Sequence, residues 1–394
     1  MVKTNTKKWF SVICAGTLMA GLLVGCGGEK KPAANGTIKI GANLEMTGGN
    51  ATFGKSASNG AKLALKEVNE KGGVLGGRKL ELVVADNKSE AAEAANAMQK
   101  LATQDKVVAA IAPIASSSVM AGAAVNQSAK ILAISPTASN PAVTVDPATN
   151  KVRDFLFRAT FIDPFQGSVM ASFATADLKA KTAAIYVDNS SDYAKGLAKF
   201  FRAGFEKQGG KIVIEEAYLQ KDTDFKATLT KMKAGNPDVI FVPGYYQEVG
   251  MIVKQARELG LTAPILGADG WDSAKLPEIA GATALNNTYF SNHYSPDDNS
   301  PAVKKFVEAY KKEYNEMPDA FAALSYDATM MIINAITKAN STDTVKIKDE
   351  MAKTKDFAGV SGNITLNDTH DAIKSAFIIE MKDGKQVFNK KVNP

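Results

Sequence analysis

Cysteine is almost missing from this chain of 394 residues: there are two, Cys14 and Cys26, both near the N-terminus. The body beyond them has no disulfide to staple it and must be held by its core alone. Its length is enough for two domains, each with a substantial core. Histidine is as scarce. His293 and His370 stand far apart, with no cysteine beside them and no paired carboxylates at ligand spacing, so neither a metal site nor a cofactor is expected. The chain also lacks a G-x-S-x-G elbow, a Walker-type phosphate loop, and a G-x-G-x-x-G fingerprint after its first apolar run. An excess of one charge is missing too. The formal charge is +6, and without Lys3, Lys7 and Lys8 it is 44 basic against 41 acidic side chains. That balance, evenly spread, excludes a nucleic-acid footprint.

What is present begins with a leader. Lys3, Lys7 and Lys8 precede an apolar run at 12–24, which is shorter than the ~20 residues that span a bilayer. Leu23-Val24-Gly25-Cys26 resembles a bacterial lipobox, in which the cysteine is lipidated and becomes the new N-terminus. Residues 1–25 then form a signal peptide, and 26–36, GGEKKPAANG after the cysteine, form a flexible polar tether.

From Ile38 onward, short apolar runs alternate with helical patterns. Runs at 38–44, 79–85, 107–111, 131–134 and 155–160 read as buried parallel strands. Helices are expected at 57–71, 91–103 and 119–129, and a new one opens at Asp163-Pro164. The alternation then restarts, with strands at 183–187, 211–217, 239–242 and 265–267 and helices at 193–208, 225–234 and 249–259. Two βαβαβ sheets are implied rather than one large one. After a strand at 287–291, helices are expected at 301–315 and 321–339. The last three runs, 364–366, 375–381 and 386–391 with Asp383-Gly384 as a hairpin turn, read as antiparallel.

The stretch 107–141 concentrates the candidate chemistry. Each of its strands is followed by a hydroxyl-rich loop, Ser116-Ser117-Ser118 and then Ser135-Pro136-Thr137-Ala138-Ser139-Asn140-Pro141. Ligands in doubly wound sheets sit where such loops leave the strands. The first loop reads as an N-cap, whose free N–H groups and positive dipole end suit a carboxylate. The hydroxyls suit the carboxylate too, and the free carbonyls of the second loop suit an ammonium. Either loop alone is explained by ordinary capping and turning; the pair on successive strands suggests a small zwitterion.

The segments NGAKLALKEVNEKGGVLGGRKLELVVAD, SSSVMAGAAV, ISPTASNP, FIDPFQG and GNITLND resemble the extracytoplasmic solute-binding proteins of branched-chain amino acid ABC importers. The resemblance covers essentially the whole chain after the leader. It implies the type I periplasmic binding fold: α/β, two doubly wound parallel-sheet lobes joined by three crossover segments. The lobes would be 37–159 with 293–361 and 160–292 with 362–394, crossing near Thr160, Asn292 and Gly362. The partners implied are an amino acid ligand, an ABC permease with its ATPase, and the membrane through the lipid on Cys26, with the protein itself a monomer.

Carried over position by position, Ser116 matches the carboxylate-binding serine, and Thr137 and Ser139 match the contacts after the fourth strand. Tyr245 matches the second-lobe tyrosine, and Asp269 stands where leucine-binding members carry the glutamate that pairs with the ammonium. Aspartate is one methylene shorter. Phe53, Tyr193, Trp271 and Tyr326 are candidates for the walls of an apolar pocket. Two other classes are open: a sensory receptor of the same fold, and an exported hydrolase reading Ser116, Asp269 and His293 as a triad.

Overall fold

Five of the short apolar runs form one parallel sheet, in the order Leu80–Asp86, Ile38–Leu44, Ala109–Ile111, Leu132–Ser135, Leu156–Arg158. The computed structural model describes residues 36–394, so the leader, Cys26 and most of the tether lie outside the described residues. The three inner strands are buried along nearly their whole length, which is why their sequences show no polar alternation. Helices Ala91–Lys100 and Ser116–Ala129 pack together, and Ala51–Glu70 packs along Ala320–Ala339.

The second sheet runs Lys211–Tyr218, Thr182–Asp188, Val239–Phe241, Ile265–Gly267, Thr288–Asn292, all parallel. Beyond Thr288–Asn292 it continues antiparallel through the hairpin Ala376–Lys382 and Lys385–Val392. Asp383 and Gly384 both have positive φ, as this two-residue turn demands. The chain is thus a type I periplasmic binding fold, α/β with two mainly parallel sheets.

Helix Ala51–Glu70 begins six residues before the expected start at 57. Its first turn lies directly on the exit of the first strand. A Cβ on Gly54 would come within 2.1 Å of the Glu45 carbonyl oxygen, so only glycine allows that approach. A second close approach, at Gly60, brings this helix onto Ala322 of helix Ala320–Ala339, where a Cβ would meet the carbonyl oxygen at 2.1 Å. The latter helix is buried along most of its length and fills the space between its partner and the first sheet.

Three stretches pass from one sheet to the other. His293 stacks on Phe161 with ring centroids 3.8 Å apart and meets Thr160 Oγ1 at 3.2 Å, so the first two passages lie side by side. The third comes later than near Gly362. His370 stacks on Phe157, and Asp371 pairs with Arg158 at 2.7 Å and accepts from Thr144 Oγ1 at 2.8 Å. Residues up to Asp371 are therefore fastened to the first sheet, and the chain joins the second only at Ala376. Arg158 has no exposed surface, and this buried ion pair is what holds the segment back.

Candidate functional site

The two hydroxyl-rich loops are laced to each other. Ser135 Oγ donates to the Pro113 carbonyl at 2.8 Å and accepts from the Ala138 N–H at 3.0 Å. Thr137 Oγ1 donates to the Ile114 carbonyl at 3.1 Å, and Ser116 Oγ accepts from the Asn140 N–H at 3.2 Å. Ser116 is the first residue inside its helix, with extended Ala115 as the cap and no side-chain cap bond, so it does not cap as expected. The amides ahead of it are taken: Glu45 accepts from the Ile114 and Ala115 N–H groups, each at 3.1 Å. Burial pushes the Glu45 carboxyl up to about 7 against these bonds. The N–H groups of Ser116, Ser117 and Ser118 have no partner among the described residues. Ser139 is fully buried, and its hydroxyl likewise lacks one.

Loops leaving the second sheet supply the other side. Tyr193 is the second residue of helix Asp192–Lys207, whose N-cap Ser191 accepts from the Ala194 N–H. Tyr245 precedes helix Tyr246–Glu258, and its ring stacks on Tyr193 with centroids 5.3 Å apart and planes 9° apart. Asp269 follows the strand Ile265–Gly267 in a single helical turn and is 3% exposed. Its Oδ1 accepts from Gln166 Nε2 and from the Tyr193 hydroxyl, both at 2.7 Å, and its Oδ2 lies 3.1 Å from His293 Nε2.

Burial alone would raise the Asp269 carboxyl, but the bonds from His293, Tyr193 and Gln166 outweigh it and hold the group below the usual range. Burial lowers His293, so the imidazole is neutral at neutral pH. Asp269 is therefore an ionised, buried carboxylate surrounded by neutral donors. Such a group favours a cation.

Contacts join the two sets of loops. Phe53 stacks on Phe321 at 4.0 Å and sets its ring edge-on to Tyr246 at 5.0 Å and Tyr245 at 6.0 Å. Ser117 Oγ donates to Asp192 Oδ2 at 3.0 Å, Asn140 Nδ2 donates to the Asp192 carbonyl at 2.8 Å, and Thr52 Oγ1 meets Ser273 Oγ at 3.3 Å. A hollow of about 300 Å³ opens beside them, lined from both sides by Asn50, Glu90, Gln220, Tyr245 and Glu248 among others.

A family model described as periplasmic binding protein matches residues 37–386. The chain belongs to this family. Leu/Ile/Val-binding protein BraC3 of Rhizobium johnstonii is 30% identical over 347 residues, covering 88% of this chain and 92% of that one. The structure of leucine binding protein LivK from Thermotoga maritima superposes with a TM-score of 0.85 at 40% identity, covering 91% of this chain and 99% of its own. The branched-chain amino acid transporter substrate binding protein LivJ from Streptococcus pneumoniae, in complex with isoleucine, gives 0.85 at 41% identity, covering 91% and 100%. As a periplasmic binding protein of the Leu/Ile/Val type, the chain falls in a family of solute binders placed outside the cytoplasm.

Within this periplasmic binding protein, Ser116, Thr137 and Ser139 gather on one side and Tyr193, Tyr245 and Asp269 on the other, with Phe53 reaching across. Phe53 does so from the first turn of helix Ala51–Glu70. Trp271 is fully buried in the second sheet's core: its indole N–H donates to the Val242 carbonyl at 3.1 Å, and its ring fills the place a Gly267 side chain would take. Tyr326 lies at a helix seam, donating to Glu67 Oε2 at 3.1 Å and packing on Phe306. The hydrolase triad divides, because Asp269 and His293 meet while the Ser116 hydroxyl is bonded to Asn140; Thr160 stands at the imidazole instead. Sequence reasoning missed Gln166 and Glu45 as parts of the site, and named His293 only within the hydrolase triad. Gln166 was visible in the FIDPFQG segment, but nothing in the sequence marks a lone histidine or glutamate as buried against a distant loop.

Proposed function

We propose that the protein is an extracytoplasmic receptor that captures a branched-chain or other apolar amino acid between its two lobes and delivers it to an ABC permease and its ATPase. The observation that carries this reading is the ionised Asp269, buried among neutral donors on the loops of one sheet, together with the free N–H groups of Ser116–Ser118 on the loops of the other. A zwitterion satisfies both ends, its ammonium on Asp269 and its carboxylate on the helix N-terminus. Phe53, Tyr193 and Tyr245 supply apolar surface for the side chain. Isoleucine in the LivJ complex supports the ligand class, as does leucine in the complex of a substrate-binding protein from Desulfitobacterium hafniense, 25% identical with a TM-score of 0.77.

The lobes would be the two sheets with their helices, and a ligand bound between them would favour their closed arrangement. Lipidation at Cys26 would keep this monomeric receptor at the membrane surface, beside its permease. Calorimetry on the mature chain with leucine, isoleucine, valine and their 2-oxo acids tests the reading. Binding of at least one amino acid, with its 2-oxo acid binding much more weakly, is expected; failure of all three amino acids to bind overturns it.

A further inference from the structure

Where the second and third passages between the sheets come together, the chain leaves a hollow of about 550 Å³. Its walls are the start of helix Pro301–Tyr314, the turn at 358–363, and residues 373–377 with Lys391 from the final hairpin strand. Lys374 stands in this wall at 4% exposure, and no other lysine among the described residues is so deeply buried. An ammonium has three donors. Lys374 gives one to Ser361 Oγ at 2.5 Å, and the carboxylate nearest in effect, Asp327, acts on it through charge with no direct bond among the described residues.

Asp327 lies one hydroxyl away and is already occupied. It accepts the Val360 N–H at 2.7 Å, the Ser361 N–H at 2.8 Å and the Ser361 hydroxyl at 2.6 Å. Ser361 thus gives its proton to Asp327 and receives one from Lys374, leaving two ammonium protons unpartnered. Burial pushes the ammonium down to about 7, with Asp327 pulling upward and Lys391 adding repulsion.

The rest of the wall is polar, with donors set beside acids. Tyr294, Ser295 and Ser361 are each buried, and the Tyr294 hydroxyl has no partner among the described residues. The first turn of helix Pro301–Tyr314 carries no acid. Asp298, the one side-chain carboxylate lining the hollow, is turned to the Ser300 N–H at 2.8 Å. We propose that this hollow is an oxyanion site, taking a small carboxylate, sulfate or phosphate group against Lys374 with Lys391 at its rim. It is separate from the Asp269 site, whose charge calls for a cation. A seated oxyanion would accept the two free ammonium protons and touch both passages at once.

The test is calorimetric titration of sodium phosphate, sodium sulfate and sodium acetate, at constant ionic strength, into the full mature chain free of amino acid. Saturable binding of at least one is expected, weakened at least about tenfold by Lys374→Met and several-fold by Lys391→Ala. Preference for phosphate and sulfate assigns a tetrahedral anion, and preference for acetate assigns a carboxylate. Circular dichroism verifies folding, so failure of amino-acid binding leaves this test intact. Absence of saturable binding by all three anions, or equal binding by the parent and Lys374→Met, overturns the proposal. Should Lys374→Met not fold, the ammonium of Lys374 in the parent, followed by nitrogen NMR, must titrate at higher pH when phosphate is present; an unchanged titration refutes the site.

Discussion

Replacing Asp269 by asparagine removes the charge while sparing the packing. The asparagine oxygen can keep the bonds from Gln166 and Tyr193. Its amide nitrogen then faces His293 Nε2, which accepts once the imidazole proton moves to Nδ1. The free protein should therefore stay folded, losing mainly the stability that the lowered titration of Asp269 contributes at neutral pH. The ligand's ammonium, by contrast, loses the one anion provided for it. Truncating one partner of a buried charge pair costs about 2–5 kcal/mol, which is at least roughly thirtyfold in affinity. Calorimetry with the preferred amino acid and with its 2-oxo acid, on parent and Asp269→Asn, separates the two contributions. Affinity for the amino acid should collapse while the weak binding of the 2-oxo acid stays the same or improves. If Asp269→Asn binds the amino acid within about threefold of the parent, or if its main effect is a drop in melting temperature, Asp269 is a structural residue and the argument from its charge is wrong.

Three further outcomes follow from the geometry. Gly60→Ala must push helix Ala51–Glu70 off the Ala322 carbonyl, costing about 1–3 kcal/mol and visible as a lower urea midpoint; an unchanged midpoint would mean the helices separate freely. Burial raises Glu45 to about 7, Asp163 to about 8 and Asp319 to about 7, so between about pH 5 and 7 the folded state holds protons that the unfolded state has released. Stability should fall as pH rises through that window, by up to about 1.4 kcal/mol per unit for each acid, against the opposing protons that burial strips from His293, His370 and, near the top of the window, Lys374; a melting temperature that rises from pH 5 to 7 contradicts this. Cys26→Ala should abolish incorporation of labelled fatty acid, and persistent labelling would rule out the lipobox.

The sheets were legible because a strand buried on both faces must be apolar throughout, and runs such as Ile265–Gly267 leave no other reading. Helix starts were less so. The start of Ala51–Glu70 is set by contact with Glu45, a tertiary fact that local composition does not carry. The same reason hides the third passage, whose position depends on Arg158 meeting Asp371 more than two hundred residues later. For the site, chemistry written in neighbouring residues could be read, as in the two hydroxyl-rich loops. Chemistry assembled across the fold could not: the Asp269 carboxylate is defined by Gln166, Tyr193 and His293, each from a different segment. Trp271 was misplaced because an aromatic beside a ligand residue looks the same in sequence whether it faces the ligand or the strand behind it.

Helix Ala320–Ala339 is long and apolar enough to cross a membrane by length and composition, yet in the fold it is a core element. A protein secreted unfolded must thread this segment through a translocation channel before any partner helix covers it. Hydrophobic segments of that length can leave such a channel sideways into lipid, and one acid near the middle opposes this by about 2.5–3.5 kcal/mol. Asp327 is that acid. In the finished protein it receives the Val360 and Ser361 amides. During secretion it would help to keep the same helix from becoming a transmembrane anchor.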